Sequence, residues 1–235
     1  MRAAAIIPAA GRGLRIGKNI NKQYLPLCGK PMLAHTLAAC IDSQFFSAII
    51  VAVTPGEEDL FHRGVLLPWL PQDKITMVSG GKERQDSVYN GLQALSADTE
   101  LVCIHDGARP LVSSSLFRSC LDKAEQYGAV ITAVPVKDTI KIVAADQVIS
   151  TPPRETLWAV QTPQVFRFDL LIDVHLRALN ENFHTTDDAA LLEHYGYAVR
   201  VVHGDYENIK VTTPEDLVVA ETLIRGRQHA DRDRL

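Results

Sequence analysis

The sequence predicts an α/β domain built on a mostly parallel sheet. Two observations carry that expectation. Short apolar runs recur along the chain, dense enough to be buried on both faces. Between them lie amphipathic stretches of helical period, about ten or more residues long.

The elements follow in order. The run AAAII (3–7) is the first strand, and Gly29-Lys30-Pro31 predicts a helix from Pro31 to Ile41 with proline at its first position. SAIIVAV (47–53) is a strand, Glu57 to Leu67 a helix, KITMV (74–78) a strand and Glu83 to Leu95 a helix. ELVCIHD (100–106) reads as a buried strand, followed by a helix from Ser114 to Tyr127 that Ser113 caps, and by the strand GAVITAVPV (128–136). Residues 137–161 alternate like a two-stranded ribbon with AADQ at its turn and a return through Pro152-Pro153. A lone hairpin is marginally stable, so this one is expected to reach another subunit as an arm. Helices over Phe168 to Asn180 and Asp187 to Tyr195 precede the strand YAVRVV (197–202). Thr213-Pro214-Glu215-Asp216 then opens a last helix over 217–224, as N-cap, proline and first-turn acids should. The charged tail 226–235 lacks an apolar face and is expected to fray.

With 235 residues, 46% hydrophobic and 22% charged, the chain can bury a core as one domain spanning 1–235. Its net charge of −4 argues against non-specific nucleic-acid binding, so any anion site must be a local cluster of Lys and Arg. The four cysteines form no CxxC, which disfavours zinc and disulfides and fits a reducing compartment. No apolar segment approaches the ~20 residues of a membrane span, and the expected location is cytoplasmic.

After the first strand, PAAGRGLRIGKNINK sets glycines among Arg12, Arg15, Lys18 and Lys22. Glycines let backbone N–H groups approach phosphate oxygens while cations offset their charge. A dinucleotide fingerprint fails, because Ile16 occupies its third glycine position. A Walker loop fails as well, because Gly17-Lys18 is followed by Asn19 and position 12 is not glycine.

Taken with KQYLPLCGKPML, SGGKERQDSV, HDGARP and NIKVTTPEDL, in that order and from Ala3 to about Ile224, the loop resembles the 2-C-methyl-D-erythritol 4-phosphate cytidylyltransferases. The resemblance implies a Rossmann-like sheet of the nucleotide-diphospho-sugar transferase type, a protruding β-arm and a homodimer. It implies CMP transfer from CTP to methylerythritol phosphate with release of pyrophosphate, in non-mevalonate isoprenoid biosynthesis, with a divalent metal, usually Mg²⁺. Partners are small molecules and a second copy, with no nucleic acid and no membrane.

Site residues follow from the same resemblance. Pro8, Ala9, Ala10, Gly11 and Gly13 shape the CTP pocket, and Arg15, Lys22 and Lys210 are the catalytic cations on its phosphates. Gly81, Lys82 and Ser87 read the cytosine and ribose. Asp106 contacts the metal or the substrate, Gly107 and Ala108 line the nucleotide, and Arg109 faces the substrate phosphate. Thr139, Arg154 and Thr186 bind methylerythritol phosphate from the neighbouring subunit. Arg12 and Lys18 read as solvated, His105 as scaffold, and Arg84 with Asp86 as a local helix pair. Asn21 stands where the family more often has proline and is expected to loosen the loop carrying Lys22. A phosphate monoester is already nucleophilic near neutral pH, so fixed cations rather than a triad are the expected machinery. The alternatives are a ribitol 5-phosphate cytidylyltransferase, against which the alanine of HDGARP weighs, or a non-catalytic nucleotide-binding subunit.

Overall fold

The computed structural model describes residues 2–11 and 21–232. In chain order the elements are β1 (Ala3–Pro8), β2 (Pro26–Leu27), β3 (Lys30–Pro31), α1 (Met32–Ser43), β4 (Phe46–Val53), α2 (Glu58–Phe61), α3 (Leu67–Trp69), β5 (Ile75–Ser79) and α4 (Arg84–Gln93). They continue with β6 (Leu101–Ile104), α5 (Ser114–Tyr127), β7 (Ala129–Pro135), β8 (Ile142–Ala144), β9 (Gln147–Ser150), β10 (Trp158–Arg167), α6 (Phe168–Glu181), α7 (Asp188–His194), β11 (Arg200–His203) and α8 (Pro214–Arg232).

The main sheet has the order β11-β7-β10-β6-β1-β4-β5. Strands β6, β1, β4 and β5 run parallel, so their C-terminal ends open on one edge. Strand β10 runs against both β6 and β7 and slips register between Gln161 and Gln164. One face packs Leu33, Leu37, Phe61, Phe117 and Leu121 from α1, α2 and α5 under Ile7, Val51 and Cys103. The other packs Val88, Leu92, Leu171, Val174 and Leu191 from α4, α6 and α7 over Ile6, Ile50 and Val102. Alternate residues of one strand thus serve opposite layers, which is why the strand sequences lack a polar face. A smaller cluster seats Ala220 and Ile224 of α8 against Leu27, Met32 and Leu111.

Several expectations are corrected. Pro31 is not the first helical residue: its ψ of 141° is extended, and it pairs with Pro26 before α1 begins. The helix expected over 57–67 begins at Glu58, widens into a π turn at His62–Leu66 and ends at Trp69. Pro68 has no N–H to bond back to Gly64, and the ladder widens just ahead of it. The ribbon is shorter than 137–161. Residues 158–161 open β10, because the register slip absorbs Pro163 and lets the strand continue to Arg167. The tail is helical to Arg232. There Arg227 donates to the Leu111 carbonyl at 2.9 Å and pairs with Glu207 at 2.9 Å, contacts invisible to a local reading. Ser113 and Thr213 cap their helices as expected. Among the described residues no helix is long and apolar enough to cross a membrane.

Candidate active site

The parallel strands deliver three loops to one sheet edge, where open α/β folds bind ligands. Pro8, Ala10 and Gly11 leave β1, Gly81, Lys82 and Ser87 join β5 to α4, and Asp106, Gly107 and Ala108 follow β6. These residues, with Lys22 and Lys210 opposite, line a cavity of about 270 Å³. Ala9 lies beneath it, buried, its amide bonded to the Ala52 carbonyl at 2.9 Å. Gly13 and Arg15 lie outside the described residues, as do Arg12 and Lys18.

Close packing fixes the glycines between β5 and α4. A Cβ on Gly80 would stand 2.2 Å from the Ala10 Cβ, and one on Gly81 would stand 2.1 Å from the Asp86 Cβ. The Ser87 hydroxyl accepts the Gly81 N–H at 3.0 Å and donates to the Glu83 carbonyl at 3.2 Å, so it shapes the loop as well as lining the cavity. Glu83 and Asp86 form a reciprocal capping box at the start of α4. Asp86 is thereby occupied, and Arg84 pairs elsewhere.

Asn21 orders the Lys22–Tyr24 turn, which it caps, rather than loosening it. Its Oδ1 accepts the Gln23 N–H at 3.2 Å, and its Nδ2 reaches Glu57 at 3.0 Å and Thr54 at 3.2 Å. A side chain thus does what proline would do by ring closure. Lys22 Nζ donates to the Val211 carbonyl at 3.0 Å, and the Val211 amide bonds the Ala108 carbonyl at 2.9 Å. The segment carrying Lys210 is stitched to both other parts of the site.

Asp106 is the electrostatic centre. Its Oδ1 accepts from Arg84 Nε at 3.2 Å and its Oδ2 from Lys210 Nζ at 2.7 Å. Burial pushes its carboxyl up, but Arg84, Lys210 and Arg109 outweigh that and hold it well below the usual carboxylate range. Thr162, at the slip in β10, supports it by accepting the Asp106 N–H at 3.0 Å. His105 is fully buried between the Arg109 carbonyl (3.1 Å) and Thr162 Oγ1 (3.0 Å), and burial lowers its pKa to about 4. It is neutral scaffold, as read from the sequence.

A second cavity, of about 170 Å³, adjoins the first. Arg109 and Thr186 line it, and Arg84, Asp106 and Lys210 line both cavities. Arg109 is buried, with its Nη1 on the Asn208 carbonyl at 2.7 Å, and its Nε has no hydrogen-bond partner among the described residues. Thr186 lines this cavity within its own chain. Asp187, not Thr186, caps α7, through the Ala190 amide at 3.0 Å. Thr139 and Arg154 line neither cavity; Arg154 instead donates to the Lys137 carbonyl at 3.2 Å within the arm.

Sequence reasoning missed Arg84, Gln23 and Thr162. Arg84 sits in a quoted motif, but its acidic partners are distant in sequence. Among the described residues no group of three or more His, Cys, Asp or Glu is arranged to hold a metal. Asp106 is the one acid shared by both cavities.

Comparison with known proteins agrees with this geometry. The profile described as "IspD: 2-C-methyl-D-erythritol 4-phosphate cytidylyltransferase" matches residues 3–226. The chain is 48% identical over 228 residues to the 2-C-methyl-D-erythritol 4-phosphate cytidylyltransferase of Pelotomaculum thermopropionicum, covering 97% of this chain and 96% of that one. It is 49% identical over 225 residues to that of Desulforamulus reducens, covering 95% and 96%. Among solved structures, the 4-diphosphocytidyl-2C-methyl-D-erythritol synthase of Anaerococcus prevotii superposes with a TM-score of 0.83 at 36% identity, covering 95% of this chain and 98% of that one. The 2-C-methyl-D-erythritol 4-phosphate cytidylyltransferase of Thermus thermophilus superposes with a TM-score of 0.80 at 35% identity, covering 96% and 100%. Loops, cations and relatives converge, and the chain belongs to the 2-C-methyl-D-erythritol 4-phosphate cytidylyltransferase family.

Proposed function

We propose that this protein transfers CMP from CTP to 2-C-methyl-D-erythritol 4-phosphate, giving 4-diphosphocytidyl-2-C-methyl-D-erythritol and pyrophosphate. One observation carries the reading beyond family membership: two cavities of unequal size share a wall made of Arg84, Asp106 and Lys210. The larger takes the nucleotide against the glycine loops, and the smaller takes the acceptor phosphate. The α-phosphate and its attacking oxygen then meet at the wall.

The chemistry asks little beyond charge and position. The acceptor phosphate attacks the α-phosphorus, the bond to the β-phosphate bridging oxygen breaks, and pyrophosphate leaves. Lys22 and Lys210, with Arg15 from the segment outside the described residues, offset the added negative charge, as fixed cations do in phosphoryl transfer generally, and Gly13 of that segment helps to shape the nucleotide pocket. Pro8, Ala10, Gly11, Gly81, Lys82 and Ser87 hold the nucleotide, with Gly107 and Ala108 beside it and Ala9 backing the loop. Arg109, whose buried Nε lacks a partner among the described residues, and Thr186 take the acceptor phosphate. Mg²⁺ fits Asp106, since this ion is ordinarily held by one or two carboxylates with the rest of its shell from substrate phosphates and water. Bound there, it would neutralise charge on the triphosphate.

Thr139 and Arg154 act in a homodimer, reaching the partner's acceptor cavity from the arm. The exposure of Ile142, Val143, Val148 and Ile149, on a hairpin that contributes nothing to the described core, supports this.

The test is pyrophosphate release from purified protein with a panel of nucleotides and acceptors. CTP with methylerythritol phosphate is expected to turn over well above every other pair. Preference for ribitol 5-phosphate would move the acceptor assignment, and CTP binding without turnover would make the chain a nucleotide-binding subunit.

A further inference from the structure

Behind the shared wall lies a row of charges that the proposed chemistry does not use. Asp188, at the start of α7, is 1% exposed. Its Oδ2 accepts from Arg84 Nη1 at 2.6 Å, and its Oδ1 meets His175 Nε2 of α6 at 3.1 Å. Lys210, Asp106, Arg84 and Asp188 thus form one line of alternating charge from the cavity into the interior, which ends on the His175 imidazole. Every carboxylate oxygen in it has a partner.

The two cations on Asp106 are not equivalent. Lys210 is 42% exposed at its side chain and has no second acid beside it among the described residues, whereas Arg84 is 25% exposed and grips Asp188 more closely than it grips Asp106. An arriving triphosphate competes for both. If both followed it, buried Asp106 would lose both of its hydrogen-bonded cations and keep only the field of Arg109 and of any bound metal, which is unfavourable. Arg84 cannot follow, because Asp188 holds its other nitrogen. We infer that Asp188, backed by His175, is a positioning residue that anchors Arg84 on Asp106, so that Lys210 alone is released to the reacting phosphate.

The inference rests on the cytidylyl-transfer reading above. It concerns the reaction step more than nucleotide binding, which the glycine loops carry through backbone contacts. Asp188→Asn keeps shape and one acceptor but removes the anchoring charge. Its kcat for pyrophosphate release is expected to fall about ten- to a hundredfold, the effect typical of removing an outer partner of a reacting group. Its Kd for CTP by calorimetry should stay within about threefold, a split that general loosening of the fold would not give. Arg84→Lys, which replaces a fork holding the two acids on separate nitrogens by one point charge, should lose a similar factor. The double variant should be no slower than Arg84→Lys alone, because both changes break the same anchor.

Unchanged kcat in a folded Asp188→Asn protein, or losses that multiply in the double variant, would overturn the proposal. Should Asp188→Asn not fold, Arg84→Lys decides: lost kcat with CTP affinity retained keeps the inference, while full kcat, or kcat and affinity lost together, ends it. If the parent protein itself releases no pyrophosphate from CTP and methylerythritol phosphate, the cytidylyl-transfer reading has failed and the inference falls with it. Only an active parent tests the anchor alone.

Discussion

Lys210 pairs with the residue next to His105, yet the two do opposite work. Lys210 is half exposed and paired with Asp106 at 2.7 Å, so removing it leaves a carboxylate that Arg84 still compensates. Lys210→Ala should therefore fold, with an unchanged melting curve, and lose about 10²–10³ in kcat, the usual cost of deleting one preorganised charge stabiliser. His105 is buried and neutral, its pKa lowered from 6.5 to about 4. Between those values the unfolded chain binds a proton that the folded chain does not, so stability falls as pH drops from 6.5 to 4. The full difference is of the order of 3 kcal/mol, since each pKa unit is worth about 1.4 kcal/mol. Urea titrations at pH 7 and pH 4.5 should record most of it, and His105→Gln should flatten that slope. Lys210, Asp106 and His105 were all legible in the sequence, because HDGARP and NIKVT are contiguous motifs. Arg84 was not. Its partners Asp106 and Asp188 lie 22 and 104 residues away, and a local reading offered Asp86 instead.

Strand ends and their turns carry the site, and their tolerances are steric. Gly80 approaches Ala10 so closely that a single methyl group would have to displace the loop after β1. Gly80→Ala is expected to destabilise the protein by about 1–3 kcal/mol, as overpacking does, and to weaken CTP binding more than that loss explains. Thermal melts read the first effect and calorimetry the second. Parallel strands and capped helices were read correctly because burial on both faces and cap residues leave local signatures. Strand β10 was not, since Pro163 interrupts the apparent ladder and only the register slip against β7 reveals that the strand continues. That slip also supplies Thr162, whose hydroxyl supports the backbone of Asp106.

For the molecule as a whole, the unpaired hydrophobic arm is the feature that an isolated chain does not account for. Val143 and Val148 are each 56% exposed, on a hairpin whose tight turn places Ala145 and Asp146 at positive φ. If the arm dimerises the protein as proposed, the double variant Val143→Lys with Ile149→Lys should keep its circular dichroism spectrum and melting point but run as a monomer in light scattering where the parent runs as a dimer. Its kcat/KM for methylerythritol phosphate should fall more than its affinity for CTP, because Arg154 would no longer reach a partner's acceptor cavity. The arm leaves after Pro135 and returns at Trp158, residues that face each other across β7 and β10, and Val136 and Leu157 bond just beyond them. The sheet is therefore closed beneath the arm whatever its length. A change of length at the hairpin tip, between β8 and β9, would leave every strand of the main sheet in place, and its cost would fall on the reach of Thr139 and Arg154 alone.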